Sequence, residues 1–233
     1  MNYVMSDIHG EYDKFLEMLQ KIDLQDDDTL YILGNVVDRG EEPIEVLTEL
    51  TYYSNIYTIL GDHDRIAAEV LSMIMDDISD GDISDISPET VKAASEWRKI
   101  GGAKTIEGFV QLSVEERQDL LDFLCDFMPF EVVDIGDKTF ILVHQGLGNF
   151  DKNGEKLKKY SIKDLTETPV DYERQYFDDD SIFIVSGHVP TYELCGEDRI
   201  YQSHNNICIN CGVADGKRLA CLCLDTMEEF YVD

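Results

Sequence analysis

An α/β fold is the class this 233-residue sequence predicts, and three observations carry it. Short apolar runs alternate with stretches of helical periodicity through the first third of the chain. The middle carries helix signals only. The last part is rich in apolar runs of strand length separated by turn residues.

Tyr3–Ser6 reads as a first short strand. Tyr12, Phe15, Leu16, Leu19 and Ile22 then fall at helical spacing. An acidic turn at residues 26–29 leads into a second strand, Leu30–Leu33. Pro43 suits the first turn of a helix bearing Ile44, Leu47 and Leu50. Ile56–Leu60 reads as a third strand, with a further helix from Asp64. This βαβαβ pattern argues for a largely parallel sheet with right-handed crossovers.

Residues 64–128 read as a helical insert that caps or flanks the sheet. Asp76–Ile86 is expected to be an acidic, serine-bearing loop. Ser87-Pro88 opens a helix, and Ser113 with Glu116 has capping-box spacing ahead of Leu120, Leu121 and Leu124. Beyond the insert, Glu131–Ile135 and Thr139–Val143 flank Gly136-Asp137, a hairpin signal. Ile182–Ser186, Ile207–Ile209, Leu219–Leu224 and Glu229–Val232 complete the strands. Nothing divides the chain into parts, so residues 1–233 are expected to form a single domain.

Composition narrows the function. Nineteen Lys and Arg stand against 49 Asp and Glu, a formal net charge of -30. Such a field repels nucleic-acid backbones and anionic membranes, so neither is an expected partner. It also repels phosphate esters unless bound cations invert the sign locally. Most of these carboxylates read as solvated surface. No apolar run reaches the ~18–20 residues that span a bilayer, and MNYVMSDIHG is not a secretory signal. Residence in the cytoplasm is the expectation, and with it six unbridged cysteines. Cys208, Cys211, Cys221 and Cys223 have spacings that zinc can use, but they sit in runs that read as buried strands.

Five short polar segments follow the strand-like runs. Ser6-Asp-Ile-His-Gly10 follows the first, Gly34-Asn-Val-Val-Asp-Arg-Gly40 the second, and Gly61-Asp-His-Asp64 the third. His144-Gln-Gly146 and Gly187-His188 end two later ones. Ligands of α/β sheets bind beyond the carboxyl ends of strands. Four His and several Asp are therefore expected to converge on one edge, with N and O donors suited to Mn, Fe or Zn. One Asp-x-His alone is more often a capped turn. The weight comes from five such segments in order.

These segments resemble those of the phosphoprotein-phosphatase family within the calcineurin-like metallophosphoesterases. The family pattern GDxHG, GDxxDRG, GNH[ED], HxG and GH stands here as SDIHG, GNVVDRG, GDHD, HQG and GH. The resemblance runs from residue 2 to about residue 232 and is closest to small bacterial members. Those include protein phosphatases and diadenosine-tetraphosphate hydrolases. It implies a four-layer α/β/β/α sandwich with two mixed sheets. It also implies two divalent metal ions: Asp7 and His9 on the first, Asp62, His144 and His188 on the second, and position 35 bridging. Arg39 would then grip the phosphate, and His63, oriented by Asp38, would protonate the leaving oxygen.

Two ligand positions depart from that pattern, as if exchanged. The bridging aspartate is Asn35, and the usual asparagine is Asp62. Summed ligand charge is unchanged, but an amide offers one neutral oxygen where a carboxylate offers two anionic ones. The expectation is a tight second site and a weakened first. The family's additional arginine has no clear counterpart near Thr168-Pro169; Arg174 stands out of register. His204 reads as a surface turn residue, Trp97 as packing, and Asp64 as either a family acidic position or a helix cap.

The leading functional expectation is a phosphomonoesterase acting on phosphoserine or phosphothreonine proteins, attenuated by Asn35. A dinucleoside polyphosphate hydrolase is the second reading. The third is a metal-binding protein that recognises phosphorylated ligands without cleaving them. Oligomeric state is not legible.

Overall fold

The computed structural model describes residues 1–78, 86–148, 150 and 160–233. Its organisation follows from the twofold period of the strands. In β1 (Asn2–Met5), Tyr3 and Met5 enter one apolar core while Val4 enters another. Leu30 and Ile32 of β2 (Thr29–Ile32) repeat that division against Leu33 just beyond. The strands are thus covered on both faces, which explains their near-continuous apolar character.

Helix α1 (Tyr12–Lys21) joins β1 to β2, and α2 (Pro43–Leu50) joins β2 to β3 (Ile56–Thr58). The three strands pair in parallel in the order β1-β2-β3. Four helices follow: α3 (Asp62–Ile78), α4 (Pro88–Lys99), α5 (Ala103–Phe109) and α6 (Val114–Cys125). They pack beside α1 and α2 on the first core, so the helical insert is present. Ser87 caps α4, and Ser113 with Glu116 forms the capping box of α6.

One expectation needs correction here. Asp76–Ile78 continue α3 instead of opening a loop, because Val70, Leu71, Ile74 and Ile78 keep one apolar face buried. Residues 79–85 of the expected acidic loop lie outside the described residues.

The second sheet begins with the hairpin of β4 (Glu131–Ile135) and β5 (Lys138–Leu142). After α7 (Ile162–Thr166) comes β6 (Ile182–Ser186), then α8 (Thr191–Cys195), β7 (Tyr201–Ser203) and β8 (Asn206–Cys208). Their order is β4-β5-β6-β8-β7, with β5, β6 and β8 parallel. The chain then returns to the first sheet through β9 (Leu219–Cys223), antiparallel beside β1, and β10 (Glu229–Val232), antiparallel beside β9. Two mixed five-stranded sheets result, each flanked by helices on its outer face.

Phe140, Leu142, Phe183, Val185 and Ile207 fill the space between the sheets against Val4, Leu33 and Leu222. Their neighbours Ile141, Ile184 and Cys208 face the outer layer of α7, Tyr172 and Tyr176. Cys208, Cys211, Cys221 and Cys223 are buried, as their strand-like runs implied, and all six cysteines are free. Among the described residues no helix is long and apolar enough to cross a membrane.

Candidate active site

The carboxyl ends of β1, β2, β3, β5 and β6 each deliver one of the polar segments. The first two segments are knitted together through the backbone: Asp7 N donates to Gly34 O, and His9 N to Asn35 O, both at 2.9 Å. Asp7, His9, Asn35, Asp38, Arg39 and His188 all carry positive φ, between 49° and 73°. Each such non-glycine residue costs about 1–3 kcal/mol. Six of them in one cluster mark a place where side-chain aim outweighs backbone comfort.

Glycine makes the close approach possible. Gly34 has φ 78°, and a Cβ there would lie 2.5 Å from Gly61 N. A Cβ on Gly187 would lie 2.3 Å from an Asp7 carboxylate oxygen. Asp64, fully buried, ties the β2 and β3 segments. Its carboxylate accepts Asn35 N at 2.7 Å, Val36 N and Gly61 N at 3.0 Å, and Val37 N at 3.4 Å. Burial pushes its carboxyl up to about 6 against those bonds. Its bond to Gly61 N, from within the first turn of α3, satisfies one of the free N–H groups at the start of that helix.

Asp62, His144 and His188 bring one ligand atom each within 4.8 Å of one another, a group able to hold a metal ion. Asp62 Oδ1 lies 2.9 Å from His144 Nε2 and 3.2 Å from His188 Nδ1. His144 gives Nδ1 to Leu33 O at 2.6 Å, which leaves Nε2 as its ligating nitrogen. Burial works against charge on Asp62, yet its bonds to His144 and His188 hold it well below the usual carboxylate range. Burial likewise opposes charge on His144, but Asp62 and Asp7 raise it to about 9.

The other half of the centre is built differently. His9 gives Nδ1 to Val37 O at 2.9 Å, with Nε2 3.9 Å from Asp7 Oδ1. Burial pushes His9 down to about 4, so its imidazole is neutral at pH 7, the form that ligates metals. Asn35 lies between the halves. Its Nδ2 donates to Asp7 Oδ1 at 3.0 Å and Asp62 Oδ1 at 3.1 Å, while its Oδ1 accepts His63 N.

Beside this centre, His63 Nδ1 donates to Asp38 Oδ2 at 2.7 Å, and the His63 and His9 rings meet edge to face at 4.9 Å. The helical insert completes the Asp38 shell. Trp97 Nε1 donates to Oδ2 and Thr105 Oγ1 to Oδ1, both at 2.7 Å. Trp97 is packed, 1% exposed, and its indole N–H finds a buried carboxylate. Thr105 gave no signal in the sequence.

Arg39 is exposed and hydrogen-bonded through its backbone to Gly101 O of the insert. It stands on the wall of a groove of about 330 Å³ shared with His188, Tyr192, Glu193 and Asp215. A larger hollow of about 480 Å³ between α2 and α6 contains none of the site residues. Arg174 packs on the rings of Phe150 and Tyr176 in the outer layer, and exposed His204 turns the chain from β7 to β8.

Residues 3–215 match the family model of the calcineurin-like phosphoesterases. A symmetrical bis(5'-nucleosyl)-tetraphosphatase of Salmonella paratyphi A is 36% identical over 64 residues, 27% of this chain and 23% of that enzyme. The match thus spans less than a quarter of the relative's length. A solved structure described as a diadenosine tetraphosphatase superposes with a TM-score of 0.65 at 15% identity, over 99% of this chain and 92% of that one. A metallophosphoesterase from Sphaerobacter thermophilus gives 0.51 at 18%, over 100% and 88%. A protein serine/threonine phosphatase from Saccharomyces cerevisiae gives 0.55 at 14%, over 94% and 71%. At these identities the likeness to solved structures speaks for the fold alone.

Proposed function

The chain belongs to the calcineurin-like phosphoesterases, and on that footing we propose that it hydrolyses phosphomonoesters, with phosphoserine or phosphothreonine proteins as substrates. The observation that carries the reading is the Asp38–His63 pair, 2.7 Å apart, standing beside the Asp62, His144 and His188 group. Phosphoester hydrolysis needs a proton for the leaving oxygen next to a place where phosphoryl charge is neutralised. Members of this family use a dinuclear divalent site, and the donor set here suits Mn, Fe or Zn. Asp62, His144 and His188 would hold a divalent ion, which would supply Lewis acidity toward the phosphoryl group and water.

The chain's own residues do the remaining work. Arg39 forks onto two phosphate oxygens and sets the ester in line for water. Asp38 Oδ2 accepts the His63 Nδ1–H and stabilises the doubly protonated imidazolium, whose second proton is on Nε2. Nε2 delivers the proton to the departing alkoxide. No covalent enzyme intermediate is involved.

Substrate size follows from charge. The groove beyond Arg39 carries Glu193 and Asp215, which favour one phosphate and disfavour a long polyphosphate chain. A second reading, a dinucleoside polyphosphate hydrolase, is favoured by the 36% identity to the symmetrical tetraphosphatase. Rates with Mn²⁺ on a phosphothreonine peptide and on diadenosine tetraphosphate separate the two. The expected result is faster turnover of the peptide, lowered about 10²–10³-fold in His63→Ala; a preference for the dinucleotide would transfer the assignment.

A further inference from the structure

We propose that this chain holds one tightly bound divalent ion, at Asp62, His144 and His188, and that the Asn35 amide ties Asp7 to that centre in place of a second ion. The inference rests on the metallophosphoesterase reading and concerns how many ions its site takes.

The orientation of Asn35 is fixed by three contacts. Nδ2 stands 3.0 Å from Asp7 Oδ1 and 3.1 Å from Asp62 Oδ1, and Oδ1 accepts His63 N–H at 3.1 Å. Turned over, the amide would set its oxygen against two carboxylate oxygens and its NH2 against an N–H. Sharing an Asn35 oxygen between two ions requires that unfavourable orientation. As it stands, the side chain presents hydrogens to the centre and ligates nothing there.

Asp7 accepts one hydrogen bond on each oxygen. Oδ1 takes the Asn35 amide and Oδ2 takes His188 N–H at 2.9 Å. An ion beside it would find two ligating residues, His9 through Nε2 and Asp7. That falls short of the three protein ligands usual for a catalytic metal. Asp62, His144 and His188 supply those three.

Charge points the same way. Asp7 and Asp62 are the carboxylates that meet at the amide, and together they balance one divalent ion. A second ion would bring two further positive charges to a place where no third carboxylate meets the Asn35 side chain. An aspartate at position 35 would put three carboxylates within contact and call for that second ion. The amide instead holds two carboxylates together without one.

The test uses the full chain, stripped by chelator and titrated with Mn²⁺, followed by calorimetry and electron paramagnetic resonance. One tight ion is expected, with a second at least about 100-fold weaker. The spectrum at one equivalent should be that of an isolated ion. His188→Ala should lose the tight ion, and Asn35→Asp should take two ions with affinities within roughly tenfold of each other and give a spin-coupled signal. Two equally tight ions with a coupled spectrum in the native chain would overturn the inference and leave the phosphoesterase reading standing. No binding of Mn²⁺ or Zn²⁺ would remove the phosphoesterase reading itself. If Asn35→Asp does not fold, the native stoichiometry and spectrum decide, with Asn35→Asp/Asp62→Asn as the charge-conserving companion.

Discussion

Trp97 Nε1 donates to Asp38 Oδ2 at 2.7 Å, the same carboxylate oxygen that receives His63 Nδ1–H. The helical insert therefore reaches into the pair that handles the leaving group's proton in the proposed mechanism. Trp97 is a positioning residue: it acts on His63 through Asp38.

Trp97→Phe keeps an aromatic ring and removes only the N–H. Turnover of an alkyl phosphate should fall about tenfold with KM little changed, since small misplacements of a catalytic group are costly. Thr105→Val should act alike. Steady-state kinetics with a pH–rate profile check this; an unchanged kcat and an unmoved profile would reduce Trp97 to packing.

That bond shows where sequence reasoning stops. Strands were legible because alternating or continuous apolar runs report burial, and helix starts because Ser87, Ser113 and Glu116 carry their capping chemistry locally. The site segments were legible because each follows a strand. Short α7 and α8 were not, since five residues hold less than two turns of periodicity. Strand β7 escaped because Gln202 and Ser203 are polar. The bonds of Trp97 and Thr105 to Asp38 span 59 and 67 residues, and only tertiary structure brings them together. The aim of the Asn35 amide depends on three partners from two segments, those after β1 and β3, which no spacing encodes.

His63 supplies the proton in this mechanism, so its removal should depend on the leaving group. His63→Ala should lower alkyl phosphate turnover about 10²–10³-fold, and that of a 4-nitrophenyl ester much less, because nitrophenolate leaves unaided. Equal losses on both substrates would contradict a general-acid role.

Metal binding should release a proton. In the metal-free fold Asp62 raises His144 to about 9, so at pH 7.5 its imidazole is charged. Ligation needs the neutral ring. Calorimetry in two buffers of different ionisation heat should therefore report about one proton released per ion. Affinity should rise with pH up to about 9. The metal-free fold behaves oppositely: the His144–Asp62 contribution to stability is complete below the unfolded pKa of about 6.5 and fades as pH climbs through about 9. Binding heats independent of buffer would count against this pairing.

Asp64 links the β2 and β3 segments through four backbone N–H groups. Asp64→Ala should cost about 3 kcal/mol or more, because buried donors lose their acceptor. Its folded pKa is raised to about 6, so its contribution is full below about 4 and lost as pH rises through 6. Asp64→Asn should flatten that slope in denaturant titrations between pH 4 and 7. A slope left intact would place its origin elsewhere.

Initial rates of 4-nitrophenyl phosphate hydrolysis by chelator-stripped protein, before and after Mn²⁺ is restored, test the central claim most directly. No turnover without the ion, full turnover with it, and none in His144→Ala under either condition is the expected pattern. Hydrolysis that persists in stripped protein, or survives in His144→Ala with Mn²⁺ present, would contradict a phosphoesterase centred on Asp62, His144 and His188.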